Sequence, residues 1–232
     1  MLFLIPAYLS EHSPETYFAP VIKEYLSKTD YFFVENEKTA RKIIKYFCPE
    51  KKQSELKLFL LDKYSETSDL KEAQDLMKKG QDFGLLSEAG LPCIADPGNL
   101  MVKWCHENNI KVIPINGPSS ILMALIASGF NGQQFTFHGY LPIDKTQKKQ
   151  RIQWLESQVQ KTGYTQIFME TPYRNNQLVE DLCKTLQSKT KLCIAANLNH
   201  PEDEYIKTLS VAEWKKAAFD FHKIPAVFLL GK

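Results

Sequence analysis

The sequence predicts an α/β protein made of two α/β domains. Short apolar runs alternate with longer amphipathic segments along the 232 residues, and hydrophobic residues make up 44% of the chain, enough for a substantial core. In the first half this alternation favours a mostly parallel sheet covered by helices on both faces. The turn NGPSS interrupts the rhythm at Asn116–Ser120. We therefore place an N-terminal domain at residues 1–116 and a C-terminal domain at residues 117–232.

Strands and helices are expected to alternate before that turn. The strands are short runs rich in Leu, Ile, Phe and Val, at Leu2–Ile5, Tyr31–Val34, Leu56–Leu61, Phe83–Leu86 and Lys111–Ile115. The helices carry apolar residues at helical spacing, at about Pro14–Ser27, Glu37–Tyr46, Asp69–Lys79 and Leu100–Asn108. Ser13 is expected to cap the first helix, and Gly80 to end the third.

The same rhythm resumes after the turn and predicts the second domain. Further strands are expected at Phe135–Tyr140, Thr165–Met169, Leu192–Ala196 and Pro225–Leu230. Helices are expected at Ser119–Ser128, Lys148–Lys161, Asn175–Gln187 and Val211–Phe219. Gly129 provides the stop signal for the first of these helices.

Composition narrows the possible function classes. The 29 basic and 27 acidic residues give a formal net charge of +2, so any RNA contact must be local. The five cysteines are scattered without CxxC spacing, and the histidines show no ligand spacing, which argues against a disulfide framework and a metal site. Pro6 interrupts the apolar start far short of the ~18 residues that a membrane span needs. We expect a cytoplasmic protein with reduced thiols, no metal and no membrane contact.

The segment Phe83–Gly98, FGLLSEAGLPCIADPG, is the main candidate for a functional site. A short apolar strand ends there in a long loop that is rich in glycine and proline. In an open α/β sheet, ligands collect beyond the carboxyl ends of strands, where glycine lets a ligand approach the main chain closely. Prolines restrict such a loop, so that it loses little entropy on binding. A loop that only turns the chain is the equally weighted alternative.

Two common nucleotide signatures are absent. No GxGxxG follows a predicted strand, and there is no GxxxxGK[ST]. The sequence therefore argues against the usual dinucleotide and nucleoside triphosphate sites.

Four segments, in this order and spacing, match a known family. They read SEAGLPCIADPG at Ser87–Gly98, NGPSS at Asn116–Ser120, FHGYLP at Phe137–Pro142 and METPYR at Met169–Arg174. The chain resembles the tetrapyrrole methylase superfamily of S-adenosylmethionine-dependent methyltransferases, and more narrowly its branch that methylates the ribose 2′-hydroxyl of a cytidine in 16S ribosomal RNA. The resemblance implies a homodimeric enzyme with S-adenosylmethionine in a cleft between two α/β domains, and ribosomal RNA or the small ribosomal subunit as partner.

The resemblance also implies which residues border the cofactor. They lie in the loops that follow the predicted strands and in the NGPSS turn. They are Pro6, Ser87, Glu88, Ala89, Gly90, Leu91, Pro92, Gly117, Pro118, Ser119, Ser120, Met169, Thr171, Asn197 and Ala226.

Methyl transfer from a sulfonium is an in-line displacement, in which the cofactor supplies the reactivity and the protein supplies position and electrostatics. A ribose hydroxyl is a weak acid, so a protein group is expected to accept its proton or hold it in line. Glu88 and Glu170 are the catalytic candidates, with Arg174 as an orienting or phosphate-binding residue. A structural ion pair between Glu170 and Arg174 is the alternative.

Residues in and after FHGYLP are the candidates for substrate binding. His138 follows alternating phenylalanines, so a half-buried strand histidine is the first interpretation and a substrate contact the second. Lys145, Lys148 and Arg151 are placed to follow a phosphate backbone, although basic runs on helices are more often solvated faces. The candidates to stack on an unpaired base are Tyr140, Trp154 and Tyr173. Trp154, at helical spacing, is expected in the core.

Three departures from the family pattern leave the acceptor open. The first-strand loop reads IPAYLSEHSPE at Ile5–Glu15 and lacks the usual Gly-Asn-Leu, and the second-strand motif becomes ENEKT at Glu35–Thr39. In FHGYLP, His138 stands where the family usually has an acidic residue. The alternatives are a divergent paralogue that methylates a tetrapyrrole-like small molecule or a protein, and a non-catalytic protein that binds S-adenosylmethionine.

Overall fold

The structure, a computed structural model, describes residues 1–61 and 70–232. Contacts divide the chain into two compact units, Met1–Ser119 and Ser120–Lys232. The sequence analysis places the domain boundary between Asn116 and Gly117, slightly earlier in the same turn. In the described part of the chain, each unit holds one five-stranded sheet with helices packed on it.

The sheet of the first unit is parallel throughout, in the order β3-β2-β4-β1-β5. Its strands are β1 (Leu2–Ile5), β2 (Tyr31–Val34), β3 (Lys57–Leu60), β4 (Phe83–Leu86) and β5 (Val112–Pro114). Its helices are α1 (Pro20–Lys28), α2 (Glu37–Phe47), α3 (Lys71–Lys78) and α4 (Asn99–Glu107). The predicted parallel α/β architecture is therefore confirmed for this half.

Alternation along the strands gives this sheet two buried faces. Phe3 and Phe32 point into a core that α1 and α2 cover, whereas Leu2 and Phe33 point into a second core that α3 and α4 cover. Apolar helix faces on both sides bury the central strands β1, β2 and β4 almost completely, which explains why these strands read as continuous apolar runs.

The start of the first predicted helix is wrong. The chain forms a 3₁₀ turn at Glu15–Tyr17, and α1 begins only at Pro20, with Ala19 at its N-cap and no side-chain cap from Ser13. Pro20 has no N–H and clashes with the preceding turn, so it is tolerated in the first turn of a helix but not in its interior. The predicted start of the third helix at Asp69 lies outside the described residues, and Gly80 follows that helix with φ of +91°.

The sheet of the second unit is mixed, in the order β6-β7-β10-β8-β9, and in it only β6 and β7 are parallel. Its strands are β6 (Phe135–Tyr140), β7 (Thr165–Met169), β8 (Lys191–Ala196), β9 (Tyr205–Ser210) and β10 (Ala226–Gly231). Its helices are α5 (Ser120–Ser128), α6 (Lys145–Thr162), α7 (Asn175–Thr185) and α8 (Val211–Trp214). The main core lies between the sheet and α6, α7 and α8.

Three elements of this unit differ from those predicted. No strand was expected at β9, because its half-buried edge position leaves no long apolar run. The helix expected at Val211–Phe219 ends at Trp214, which is fully buried and donates an indole hydrogen bond to the carbonyl of Leu192. Helix α6 begins at Lys145 rather than Lys148, because the Asp144 carboxylate accepts a hydrogen bond from the backbone of Gln147.

Within residues 1–61 and 70–232, no helix is both long and apolar enough to cross a membrane.

Candidate functional site

Three loops of the first unit meet around Gly90, beyond the carboxyl ends of β1, β4 and β5. The backbone N–H of Ala7, after β1, donates to the carbonyl of Gly90 at 2.9 Å. A Cβ at Gly90, where φ is +70°, would lie 3.2 Å from the Leu9 side chain and 3.3 Å from the carbonyl oxygen of Pro118. The hydroxyl of buried Ser87 donates to the carbonyls of Ala89 and Gly90. The fold thus assembles loops that are distant in sequence into one cradle.

A second close approach joins the first and last of these loops. The Cβ that Gly117 lacks would lie 2.2 Å from Cβ of Pro6, closer than any side chain tolerates. Only glycine allows the two backbones to pass at this distance. Pro6, Gly117 and Pro118 therefore lie together with Gly90, as a shared ligand site requires.

Asp96 holds the shape of the loop after β4. Its carboxylate accepts hydrogen bonds from the backbone N–H of Cys93 at 2.8 and 2.9 Å and from that of Gly98 at 2.8 Å. Cys93 and Ala95 have φ of 69° and 65°, a left-handed conformation that costs free energy in residues other than glycine. The Asp96 hydrogen bonds stabilise this strained turn. Burial raises the pKa of Asp96 above its usual value, and these hydrogen bonds oppose the rise.

Glu35 is a candidate that the sequence analysis missed. It follows β2 directly, beside the start of the loop after β4, because Val34 pairs with Leu86. A small indentation at this place is lined by Glu35, Asp96 and apolar side chains of β2 and β4. Burial, with the charges of Asp96 and Glu88 adding to it, raises the pKa of Glu35 to about 7. No local motif marks this residue, since its importance follows from the adjacency of β2 and β4.

The remaining predicted site residues of the first unit lie in the same loops. Glu88 and Ala89 are exposed, Leu91 is half-buried, and Pro92 and Ser119 are buried. Ser120 belongs to the second unit, where it opens α5.

In the second unit, one edge of the sheet gathers the other predicted cofactor residues. Met169, at the carboxyl end of β7, pairs with Val227, and Ala226 pairs with Ala196 at the end of β8. Asn197 follows with φ of 53° and donates its backbone N–H to the carbonyl of Pro225. The same end of this sheet, where β7 and β8 finish and β10 begins, therefore carries Met169, Thr171, Asn197 and Ala226.

Glu170 and Arg174 form an ion pair beside this edge. The fully buried Glu170 side chain accepts, at Oε1, hydrogen bonds from the backbone of Thr171 at 2.7 Å and from Nε and Nη2 of Arg174 at 3.0 and 2.6 Å. Its Oε2 has no hydrogen-bond partner among the described residues. The geometry is that of the structural ion pair that the sequence analysis kept as the alternative to catalysis.

His138 lies in a polar and aromatic cluster on the edge strand β6. Arginine only donates, so Nη2 of Arg151 donates to Nδ1 of His138 at 2.9 Å, and Nε2 then donates to Oε1 of Gln166 at 2.8 Å. This tautomer is neutral. Burial lowers the pKa of His138, and the charge of Arg151 adds to this, while the Gln166 hydrogen bond opposes it.

Trp154 is 42% exposed, so the core position expected for it is wrong. The guanidinium of Arg151 lies 4.2 Å from the centre of its ring, and the ring of His138 meets it edge-on. Helix α6 turns this face away from the core. The result is an exposed cation and aromatic pair rather than a buried side chain.

One predicted substrate residue is contradicted. Lys148 is buried, and its ammonium lies 3.0 Å from the Asp181 carboxylate on α7. A buried lysine whose ammonium already pairs with a carboxylate of the same protein is not available to bind a phosphate backbone. Lys145 and Tyr140 are exposed and remain accessible.

The part of the chain that the structure describes holds no group of three or more His, Cys, Asp or Glu side chains placed to bind a metal ion.

Known proteins share the sequence pattern of this chain. The family described as Tetrapyrrole (Corrin/Porphyrin) Methylases matches residues 17–213, most of the chain. The chain belongs to the tetrapyrrole methylase family. The membership expected from the four segments is thereby confirmed.

Relatives named "Ribosomal RNA small subunit methyltransferase I" fall in the same family. That of Vibrio cholerae is 29% identical over 75% of this chain and 58% of its own length. That of Buchnera aphidicola subsp. Acyrthosiphon pisum is 29% identical over 93% and 73%, and that of Halalkalibacterium halodurans is 32% identical over 83% and 64%. The chain thus spans between about half and three quarters of these relatives.

Solved structures of other methyltransferases share the fold. The methyltransferase CobJ superposes with a TM-score of 0.65 at 14% identity, over 100% of this chain and 93% of that one. Cobalt precorrin-4 methyltransferase CbiF superposes with a TM-score of 0.59 at 12% identity, over 99% and 94%. At such identities the likeness concerns the fold alone.

Proposed function

We propose that this chain is an S-adenosylmethionine-dependent methyltransferase that methylates a ribose 2′-hydroxyl of 16S ribosomal RNA. The observation that carries the proposal is the convergence of the loops after β1, β4 and β5 on Gly90, in a member of this family. The names of the relatives support the choice of acceptor.

The first unit's loops fit such a cofactor. Bound S-adenosylmethionine supplies a methyl group activated by a positively charged sulfur. Gly90 and Gly117 let the loops after β1, β4 and β5 approach one another closely, which brings their main-chain groups together at one place. A loop that already holds its shape through Asp96 loses little entropy on binding. Gly90, Gly117 and the loop Ser87–Pro92 are the proposed cofactor contacts in this unit.

The proposed cofactor residues of the second unit lie at one end of its sheet. Met169, Thr171, Asn197 and Ala226 present main-chain groups at the ends of β7 and β8 and the start of β10. The Glu170–Arg174 pair holds the turn that carries Thr171.

Glu35 and Glu88 are the groups proposed to accept the proton of the attacking hydroxyl. A general base works best when its pKa is near the working pH, and Glu35, with a pKa of about 7, meets this condition. Glu170 is assigned a positioning role instead, because its side chain is fully buried and bound to Arg174.

The acceptor RNA is proposed to contact the exposed residues around β6. The guanidinium of Arg151 lies over the ring of Trp154, 4.2 Å from its centre, and Lys145 adds a positive charge at the start of α6. Tyr140, 56% exposed, extends this surface.

The test is methyl transfer from radiolabelled S-adenosylmethionine to small ribosomal subunits from cells that lack the gene for this chain. Label at a ribose 2′-oxygen is the expected result. Cofactor binding by calorimetry without any label on RNA would overturn the acceptor and leave a small-molecule or protein substrate to be sought. Absence of cofactor binding would overturn the whole proposal.

Self-association into a homodimer belongs to the same proposal. Ile126, 82% exposed on α5, is an apolar side chain that a second copy would cover. Light scattering coupled to gel filtration gives the mass in solution, and a monomeric mass would overturn this part alone.

A further inference from the structure

A cluster of exposed side chains lies in the second unit, next to the Glu170–Arg174 pair. Tyr173, on the 3₁₀ turn that follows Glu170, is 69% exposed. The ammonium of Lys223 lies 5.8 Å from the centre of its ring, and the ring of His222 meets it edge-on at 6.0 Å. An exposed ring with a cation beside it is an arrangement on which an unpaired base can stack.

The loop that carries His222 and Lys223 is held firmly against this turn. The backbone N–H of Lys223 donates to the carbonyl of Pro172 at 3.0 Å. Asn175 donates to the carbonyl of Ile224 at 2.6 Å, and Asn176 accepts from the backbone of Phe221 at 2.7 Å. Two segments that lie far apart in sequence are thus joined by several hydrogen bonds, which fix the distance between Tyr173 and Lys223.

Lys223 also has an unusual backbone. Its φ of +63° is left-handed, a conformation that lysine rarely adopts. The hydrogen bond to Pro172 and the neighbouring Asn175 contacts maintain it. A strained residue that places a cation beside an exposed ring is a typical sign of a binding surface.

The charges around Tyr173 favour an anionic partner. Lys223 is exposed, and Arg174 is 37% exposed although it pairs with Glu170. The nearest carboxylate of the loop, Asp220, already accepts hydrogen bonds from Asn176 and from the backbone of His222. A planar ring flanked by cations fits a base and its phosphate, since unpaired bases stack on aromatic rings and phosphates pair with lysine.

We propose that Tyr173 and Lys223 form a binding site for one unpaired nucleotide of RNA, with the base on the Tyr173 ring and a phosphate at Lys223. The site rests on the proposed function and refines it, because Tyr173 lies two positions after Thr171, at the edge proposed to contact the cofactor. The tyrosine is a specificity element for single-stranded RNA, and it takes no part in proton transfer.

The test measures binding of a fluorescent, unstructured oligoribonucleotide of about 12 residues to the full chain by anisotropy. Tyr173→Ala is expected to raise the dissociation constant about 5- to 100-fold, whereas Tyr173→Phe, which keeps the ring, stays within about 3-fold. Lys223→Gln is expected to weaken binding. It should also make the slope of log affinity against log salt concentration shallower by close to one, because one fewer counterion is released. Tyr17→Ala is the matched control, since Tyr17 is 53% exposed on a 3₁₀ turn of the first unit.

Calorimetry with S-adenosylmethionine on the same variants separates this inference from the proposed function. Unchanged cofactor affinity with weakened RNA binding is expected for Tyr173→Ala. Equal RNA binding by the wild type, Tyr173→Ala and Tyr17→Ala would overturn the site, even where the wild type methylates ribosomal RNA. Loss of cofactor binding in Tyr173→Ala, with RNA binding intact, would also overturn it, because the ring would then contact the cofactor.

Discussion

Gly117 passes so close to Pro6 that a Cβ on the glycine would lie 2.2 Å from Cβ of the proline. Gly117→Ala must therefore push apart the loops after β1 and β5. Overpacking of this kind costs about 1 to 3 kcal/mol, so we expect the affinity for S-adenosylmethionine to fall roughly 5- to 150-fold in calorimetry. Gly132→Ala is the control, because a Cβ there meets nothing within 4 Å. Equal affinities in the two variants would remove Gly117 from the proposed site.

Asp96→Asn tests the turn after β4. The amide keeps the shape of the carboxylate but loses its charge and one of its two acceptor oxygens, so the bonds to Cys93 and Gly98 are weakened. We expect a loss of about 1 to 2 kcal/mol in the free energy of unfolding and faster hydrogen exchange at the amides of Cys93 and Gly98. Asp82→Asn, which affects only an exposed pair with the amino terminus, should leave both amides protected. Unaltered exchange in Asp96→Asn would show that other contacts hold the turn.

Glu35 makes stability depend on pH. Its pKa rises from 4.5 in the unfolded chain to about 7 in the fold. The folded state therefore binds a proton more tightly, and this stabilising contribution, complete below pH 4.5, is lost as the pH rises through about 7. Glu35→Gln removes this titrating group, so its free energy of unfolding should not fall in this way. Relative to the wild type, we expect it to gain about 1 to 2 kcal/mol as the pH rises from 4.5 to 8, after allowance for solvent screening at a half-exposed group.

Urea denaturation at several pH values measures this gain. Glu37→Gln is the control, since Glu37 is exposed and its pair with Arg41 is loose, at 3.5 Å. Parallel pH profiles for Glu35→Gln and the wild type would contradict the raised pKa.

Lys148→Ala tests whether Lys148 stabilises the fold by pairing with Asp181 rather than binding RNA. Removing the ammonium leaves the partly buried Asp181 carboxylate with its Gln177 hydrogen bond but without its cationic partner. We therefore expect about 2 to 3 kcal/mol of lost stability and no change in RNA affinity at a temperature where the variant is folded. Lys149→Ala, at an exposed position on the same helix, should leave stability unchanged. A weaker RNA complex with normal stability in Lys148→Ala would restore the original assignment.

Local patterns in the sequence predict the elements of the first unit well. Its central strands are buried on both faces and so appear as uninterrupted apolar runs, such as Phe83–Leu86. Strand β9 could not be found in this way, because an edge strand with half-buried side chains gives neither an apolar run nor a clean alternation. The start of α1 could have been found from Pro20, whose missing N–H is a local signal.

The candidate site is only partly readable from sequence. The loop at Ser87–Pro92 follows from its glycine and prolines, but the contacts of Gly117 with Pro6 and of Glu35 with Asp96 depend on strand order. The direction in which a helical side chain points decided the roles of Lys148 and Trp154. The sequence pattern around a basic or aromatic residue on a helix is the same whether the end of its side chain contacts a carboxylate, an arginine or water.

Strand order in the first unit also governs how the chain can fold as it is made. Strand β1 lies between β4 and β5, so its hydrogen-bonding partners are synthesised long after it. Such non-local pairing is slow, whereas β8 and β9 are consecutive antiparallel strands that close over a short loop. The apolar segment Leu2–Ile5 must therefore leave the ribosome unpaired and wait for its neighbours. Of the described strands of this unit, it is the one that stays without its sheet partners longest during translation.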